Sequence, residues 1–216
     1  MQQFGSPQFG AQQPGAQAYG TQQMGIGQPG WQTPQQGQAA QFGAHEIMEV
    51  HEVLSSLIEG INRFQLYKPY IKDQQLNSMM DSHLSHMNRT YDQIASYLHS
   101  KGAISFMPYH GVKKTPVQYG LRNPSPMQPS SSVNDIDDRD VALGMLAYHK
   151  SSALKCTMAA LECADYNLRQ LMQNCSVSCM NQAWECFTYM NQRGMYQVPT
   201  MQQNTTNTMV NSYQMQ

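Results

Sequence analysis

Charge is missing from both ends of this chain. All 27 Asp, Glu, Lys and Arg residues lie between Glu46 and Arg193, so neither flank can repel a neighbouring copy electrostatically. Charged residues make up 12% of the sequence, about half the usual share, which favours assembly over high solubility. No basic cluster exists beyond Lys113 and Lys114, so nucleic acid is not an expected partner. No apolar run has membrane-spanning length, and Met1-Gln2-Gln3 opens no basic-then-apolar leader; neither a span nor a secretory signal is expected. Cys-x-x-Cys is absent, which removes zinc-ribbon and thioredoxin-like readings. Glu-x-x-His is absent too, and without it the usual carboxylate-bridged di-metal site of helix bundles cannot form.

What the first 44 residues do contain is 14 Gln and 9 Gly, with Gly recurring every fifth position from Gly5 to Gly30. A large apolar residue often precedes the glycine, as at Phe4, Phe9, Tyr19 and Met24. Such a segment buries too little apolar area to offset its ordering entropy. It reads either as a plain disordered tail or as an adhesive one, in which each unit presents one sticker on a flexible spacer.

Helical periodicity starts abruptly after the tail. Ile47, Val50, Leu54, Leu57, Ile61 and Phe64 form one apolar stripe on a helix over 44–67, ended at Lys68-Pro69. A second helix over 70–100 carries Leu76, Met80, Leu84, Met87, Tyr91, Ile94 and Leu98, with Gly102 offering a left-handed stop. Five prolines between Pro108 and Pro129 then exclude a long helix, leaving a connection of about 30 residues. Asp135, Asp137 and Asp138 crowd the start of a third helix that runs to about Cys163, and a fourth follows over 167–192. This is an all-α chain: a four-helix bundle of ferritin-like connectivity, with a long crossover between helices two and three and a disordered tail on each side. The expected division is 1–44 tail, 45–196 helical domain and 197–216 polar tail.

The second pair of helices is apolar on two sides. Helix three carries Leu143, Ala147, Leu154, Met158 and Leu161 on one stripe, and Ala142, Leu146, His149, Ala153, Cys156, Ala160 and Cys163 roughly opposite. Helix four carries Leu168, Met172, Cys175, Cys179, Ala183, Cys186 and Met190, with a second row of Val177, Met180, Trp184 and Phe187. Either the proline-rich crossover covers the extra faces or they form a further interface.

Candidate chemistry is sparse. His83 and His86 with Asp81 on helix two, His149 and Glu162 on helix three, and Glu185 on helix four are the titratable residues a metal could recruit. They do not make the usual set, so no catalytic residue, cofactor or metal site is assigned and no enzyme is expected. The five cysteines sit only in helices three and four. Cys175, Cys179 and Cys186 share a core stripe and read as small buried hydrophobes. Cys156 and Cys163, on the second face of helix three, are the candidates for cross-linking between molecules. Lying one heptad apart, about 10 Å along a helix, they cannot pair with each other.

The segment Phe187-Thr188-Tyr189-Met190-Asn191-Gln192-Arg193-Gly194-Met195-Tyr196-Gln197-Val198-Pro199 resembles the closing segment of coat F domains, with Tyr189, Met190, Gly194, Tyr196 and Pro199 carrying the motif. The acidic run from Asp135 to Asp140 and the cysteine-rich fourth helix are similar as well, and the likeness extends over about 44–199. The resemblance implies a spore coat protein F-like member of the ferritin-like coat proteins of endospore-forming Firmicutes. Such a protein would be made in the mother-cell cytoplasm, deposited in the spore coat, and would have itself and other coat proteins as partners in a homo- or hetero-oligomer. It carries no catalytic residues to transfer. A ferritin-like metal-binding or oxidative-protection protein of the spore, using His83, His86 and nearby carboxylates, is the alternative.

Overall fold

The structure is a computed structural model that describes residues 42–102, 104–111, 115–123 and 126–215. The chain divides into Met1–Ala39 and Ala40–Gln216, and all of the described residues belong to the second unit. The pentad tail lies outside the described residues.

Among the described residues four long helices form the body: α1 (Ala44–Tyr67), α2 (Gln74–Ser100), α3 (Asp138–Glu162) and α4 (Tyr166–Gln192). The starts of the last three are set by carboxylates on unpaired amides. Asp73 accepts from Gln75 and Leu76 before α2, Asp137 from Arg139 and Asp140 before α3, and Asp165 from Leu168 before α4. The second helix therefore begins later than expected. Lys68–Tyr70 forms a short 3-10 turn around Pro69, and Asp73 rather than Tyr70 opens α2. Its end differs too: Lys101, with φ +45°, takes the left-handed position expected of Gly102. The Lys101 side chain reaches Asp165 Oδ2 at 3.1 Å, an ion pair that offsets the strain of that backbone.

Bonds between helix ends fix the directions. Glu46, at the start of α1, accepts from the amides of Ala164 and Asp165 just past the end of α3. Asp138, at the start of α3, accepts from Lys72 and Asp73 at the start of α2. Arg193, past the end of α4, pairs with Asp73 at 2.8 Å. Hence α1 and α4 run one way, and α2 and α3 the other. The connection from α2 to α3 must return along a 27-residue helix, about 40 Å at 1.5 Å per residue, which explains its length.

That connection runs beside α4. The Tyr109 amide donates to Ser178 Oγ at 3.0 Å, and Asn181 Nδ2 donates back to the Tyr109 carbonyl. Further along, Gln118 exchanges both backbone bonds with the Asn191 side chain. Phe106 and Tyr109 are buried there. In the core Phe64, Leu76, Met80, Ile94, Met145, Leu146, Leu168, Met172 and Met190 are fully enclosed. In α1 the buried stripe runs through Val50, Val53, Leu57, Gly60 and Phe64, turned from the expected one so that Ile47 faces out.

After α4, Gly194 at φ +72° reverses the chain. Within the segment expected to be a disordered tail, Gln203–Asn211 forms a short helix, α5, that buries no residue. It is held by local bonds such as Thr206 N to Gln202 O.

Candidate functional site

A polar chain crosses the apolar core. Glu185 Oε2, on α4, accepts from the Tyr109 hydroxyl and lies 3.0 Å from His83 Nε2 on α2. His83 Nδ1 in turn lies 3.0 Å from His149 Nε2 on α3. Both imidazoles are fully buried, and their rings meet edge to face at 4.8 Å. Glu185 forms the outer end, at the floor of a groove of about 480 Å³ rimmed by Gln75, Ser82, Gln192 and Arg193. Burial holds His83 down to about 4 even though its bond to Glu185 pulls the other way, so it is neutral at neutral pH. A carboxylate only accepts, so Nε2 of His83 carries the proton and Nδ1 accepts from His149 Nε2. The remaining nitrogen, His149 Nδ1, is buried without a hydrogen bond of ordinary geometry, although the His149 side chain lies near enough to Cys179 to act on that thiol.

Thiols lie beyond this chain. Cys156 Sγ is 2.9 Å from Cys175 Sγ, and both sulfurs with that of Cys179 lie within 4.8 Å of one another. Bonds to Cys156 and Cys179, together with burial, push the Cys175 thiol up. Cys179 is held down by bonds to Cys156 and Cys175 and, further, by His149. Burial pushes Cys163 up to about 11, with Glu46 and Asp165 adding to it.

Cys156 and Cys163, placed by periodicity on the second face of helix three as candidates for cross-linking between molecules, are both buried, at 2% and 9% exposure. Of the two apolar rows on that helix, the one rich in Ala and Cys packs inward, because small side chains let α3 approach its neighbours closely. The larger row faces solvent. His83 and His86 also do not converge: His83 pairs with His149, while His86 packs against Phe106 and Tyr109. The other carboxylates are elsewhere, Asp81 on Lys68 and Glu162 3.7 Å from His45. The His83–His149 and Cys156–Cys175 approaches span 66 and 19 residues. They have no periodic signature, so nothing in the sequence announces them.

On the outside, Leu154 and Leu161 of α3 are 74% and 72% exposed, with Met158 between them and Leu143 a few turns away. Val177, Met180 and Trp184 of α4 are exposed as well. The described part of the crossover bonds to Ser178, Asn181, Glu185 and Asn191 instead, leaving these rows uncovered.

The closing motif is a lock at the end of α4. The Met190 carbonyl accepts from Met195 and Tyr196, and Arg193 stacks over the Tyr189 ring at 3.9 Å. Tyr196 meets Phe187 edge to face, and the Val198 carbonyl, just before Pro199, takes the amide of Gly120 in the crossover.

Comparison with known proteins agrees with this motif. Residues 137–199 match the Coat F domain. The spore coat protein F-like protein YhcQ of Bacillus subtilis (strain 168) is 29% identical over 173 residues, covering 79% of this chain and 80% of that protein. A crystal structure from Bacillus halodurans C-125, assigned as a spore coat protein, superposes with a TM-score of 0.55 at 14% identity, over 74% of this chain and 95% of that one. The α3–α4 hairpin and its closing motif lie inside the segment that matches the Coat F domain, and the chain is similar over most of its length to a spore coat protein F-like protein.

Proposed function

We propose that this protein is a structural component of the bacterial spore coat, built into the coat by lateral packing of its helices. The observation that carries the reading is the pair of exposed apolar rows on α3 and α4, Leu143-Leu154-Met158-Leu161 and Val177-Met180-Trp184. Uncovered rows on a domain of low charge favour burial against a second copy. The Coat F match over residues 137–199 and the similarity to a spore coat protein F-like protein support the setting. The parallel run of α2 and α3 across the long crossover supports reading the bundle as ferritin-like in connectivity, here used as a scaffold. The uncharged pentads of residues 1–44 would add adhesive contacts between chains and to other coat proteins. Because Cys156 and Cys163 are buried, packing comes first, and a disulfide between chains requires the bundle to open. The metal-storage alternative draws no support from Asp81 and Glu162, which are engaged by Lys68 and His45 rather than by His83.

The test is expression of the full chain and of a Leu154→Glu/Met180→Glu variant in sporulating cells, each with a fluorescent fusion, followed by detergent extraction of the spores with and without reductant. The parent should resist extraction in both conditions, through packing alone, and the variant should be lost from the coat. Equal retention of both proteins would sink the lateral-packing mechanism, and absence of the parent from the spore would sink the coat assignment.

A further inference from the structure

The three clustered thiols and the unpartnered nitrogen of His149 have no role in the coat reading. Cys156 comes from α3, and Cys175 and Cys179, one helical turn apart, come from α4. Small core hydrophobes would not need a lone pair beside them. His149 Nδ1 is buried with no hydrogen-bond partner of ordinary geometry. An imidazole held from its other nitrogen by a chain that ends on a carboxylate is the usual arrangement of a metal-bound histidine.

We propose that Cys156, Cys175 and Cys179, with His149 Nδ1 as the fourth donor, bind one soft divalent metal ion of the zinc type in a closed tetrahedral site. Thiolate donors select soft and borderline cations over magnesium or calcium. Four protein donors with no open position make a structural rather than catalytic site. Zinc–sulfur bonds of about 2.3 Å set neighbouring sulfurs about 3.8 Å apart, between the 2.9 Å of Cys156–Cys175 and the 4.8 Å envelope of the group. Small side-chain rotations are therefore sufficient for the three thiols, and His149, which lies outside their 4.8 Å group, must turn toward them. Each thiol that binds gives its proton to solvent, so three protons leave for each ion bound. Three thiolates and one dication leave a single net negative charge. The His149–His83–Glu185 chain orients the imidazole from behind. No electron is transferred. The ion would clamp α3 to α4 and occupy thiols that would otherwise oxidise.

The full-length chain, purified anaerobically and freed of metal, is titrated with Co²⁺ as a spectroscopic probe and then with Zn²⁺. One Co²⁺ per chain is expected, with thiolate-to-cobalt charge-transfer absorption and the visible bands of a tetrahedral site. Zn²⁺ should displace it, release protons and raise the thermal unfolding midpoint. Cys179→Ser and Cys156→Ser should lose the charge-transfer band. Cys163→Ser, outside the cluster, and Cys186→Ser, in a separate group with His83 and His149, should keep it. Charge-transfer absorption that survives in Cys156→Ser and Cys179→Ser would overturn the assignment, as would loss of the band in Cys186→Ser. Its absence in the parent would do so by itself, whatever the folding of the variants. Fewer than five free thiols in the parent, counted in denaturant without reductant, would assign the cluster to a disulfide instead.

Discussion

The Tyr148 ring fills the place where Gly60 would carry a side chain: a β-carbon on Gly60 would lie 2.1 Å from Tyr148 Cζ. The Tyr148 hydroxyl donates to the Ser56 carbonyl at 3.1 Å, one helical turn before Gly60, so the ring is pinned against α1.

Gly60→Ala should therefore destabilise the bundle. Alanine gains about 1 kcal/mol in helix propensity, but overpacking a filled core costs about 1–3 kcal/mol, and displacing the ring forfeits a hydrogen bond of about 1 kcal/mol. A net loss of about 2 kcal/mol should appear in urea unfolding. Adding Tyr148→Ala should make the Gly60→Ala change less harmful than in the parent, and a double-mutant cycle reads that coupling.

Glu46 is 2% exposed and accepts from three backbone amides, those of Gly43, Ala164 and Asp165. Glu46→Ala leaves the amides at the α3–α4 corner without their charged acceptor, at about 2–3 kcal/mol. The unfolding midpoint should fall accordingly. Hydrogen exchange should speed up at Ala164 and Asp165 before it does in the middle of α3.

Acid should weaken the fold through His86. Burial, with Arg89 adding to it, holds this imidazole down to about 4. The unfolded chain takes up the proton near pH 6.5, so between these values the unfolded state binds more protons than the folded one. Stability is then full above about pH 6.5 and declines as pH falls toward about 4, by roughly 2 kcal/mol after allowance for partial screening. Denaturant midpoints for the metal-free protein at several pH values should trace that slope, and His86→Leu should reduce it, leaving the share that His83, also held down to about 4, contributes over the same range.

All five cysteines are buried, and reactivity needs both exposure and thiolate. Iodoacetamide should label them slowly in the folded protein and completely in denaturant. Rapid native labelling of Cys156 would show that the bundle opens often enough for cross-linking between chains.

Leu154→Glu and Met180→Glu place carboxylates at positions 74% and 52% exposed. Each should change the stability of the purified monomer by less than about 0.5 kcal/mol. Loss of self-association without loss of folding, by calorimetry alongside sedimentation, is the expected pattern.

The sequence by itself determined where helices form and stop. Carboxylates at Asp73, Asp137 and Asp165 and the break at Pro69 act through bonds to the nearest few residues, and such local chemistry is written in order along the chain. The prolines after Gly102 likewise marked the crossover, and the charge-free flanks set off the helical part of the chain. Only the tertiary structure decided which face of α3 turns inward. Both of its rows are apolar, so periodicity could not choose, and the choice went to the row whose small Ala and Cys side chains allow close helix approach. The same choice buried Cys156 beside Cys175 and set His149 against His83. Those meetings depend on how whole helices pack, and no spacing along the chain encodes them.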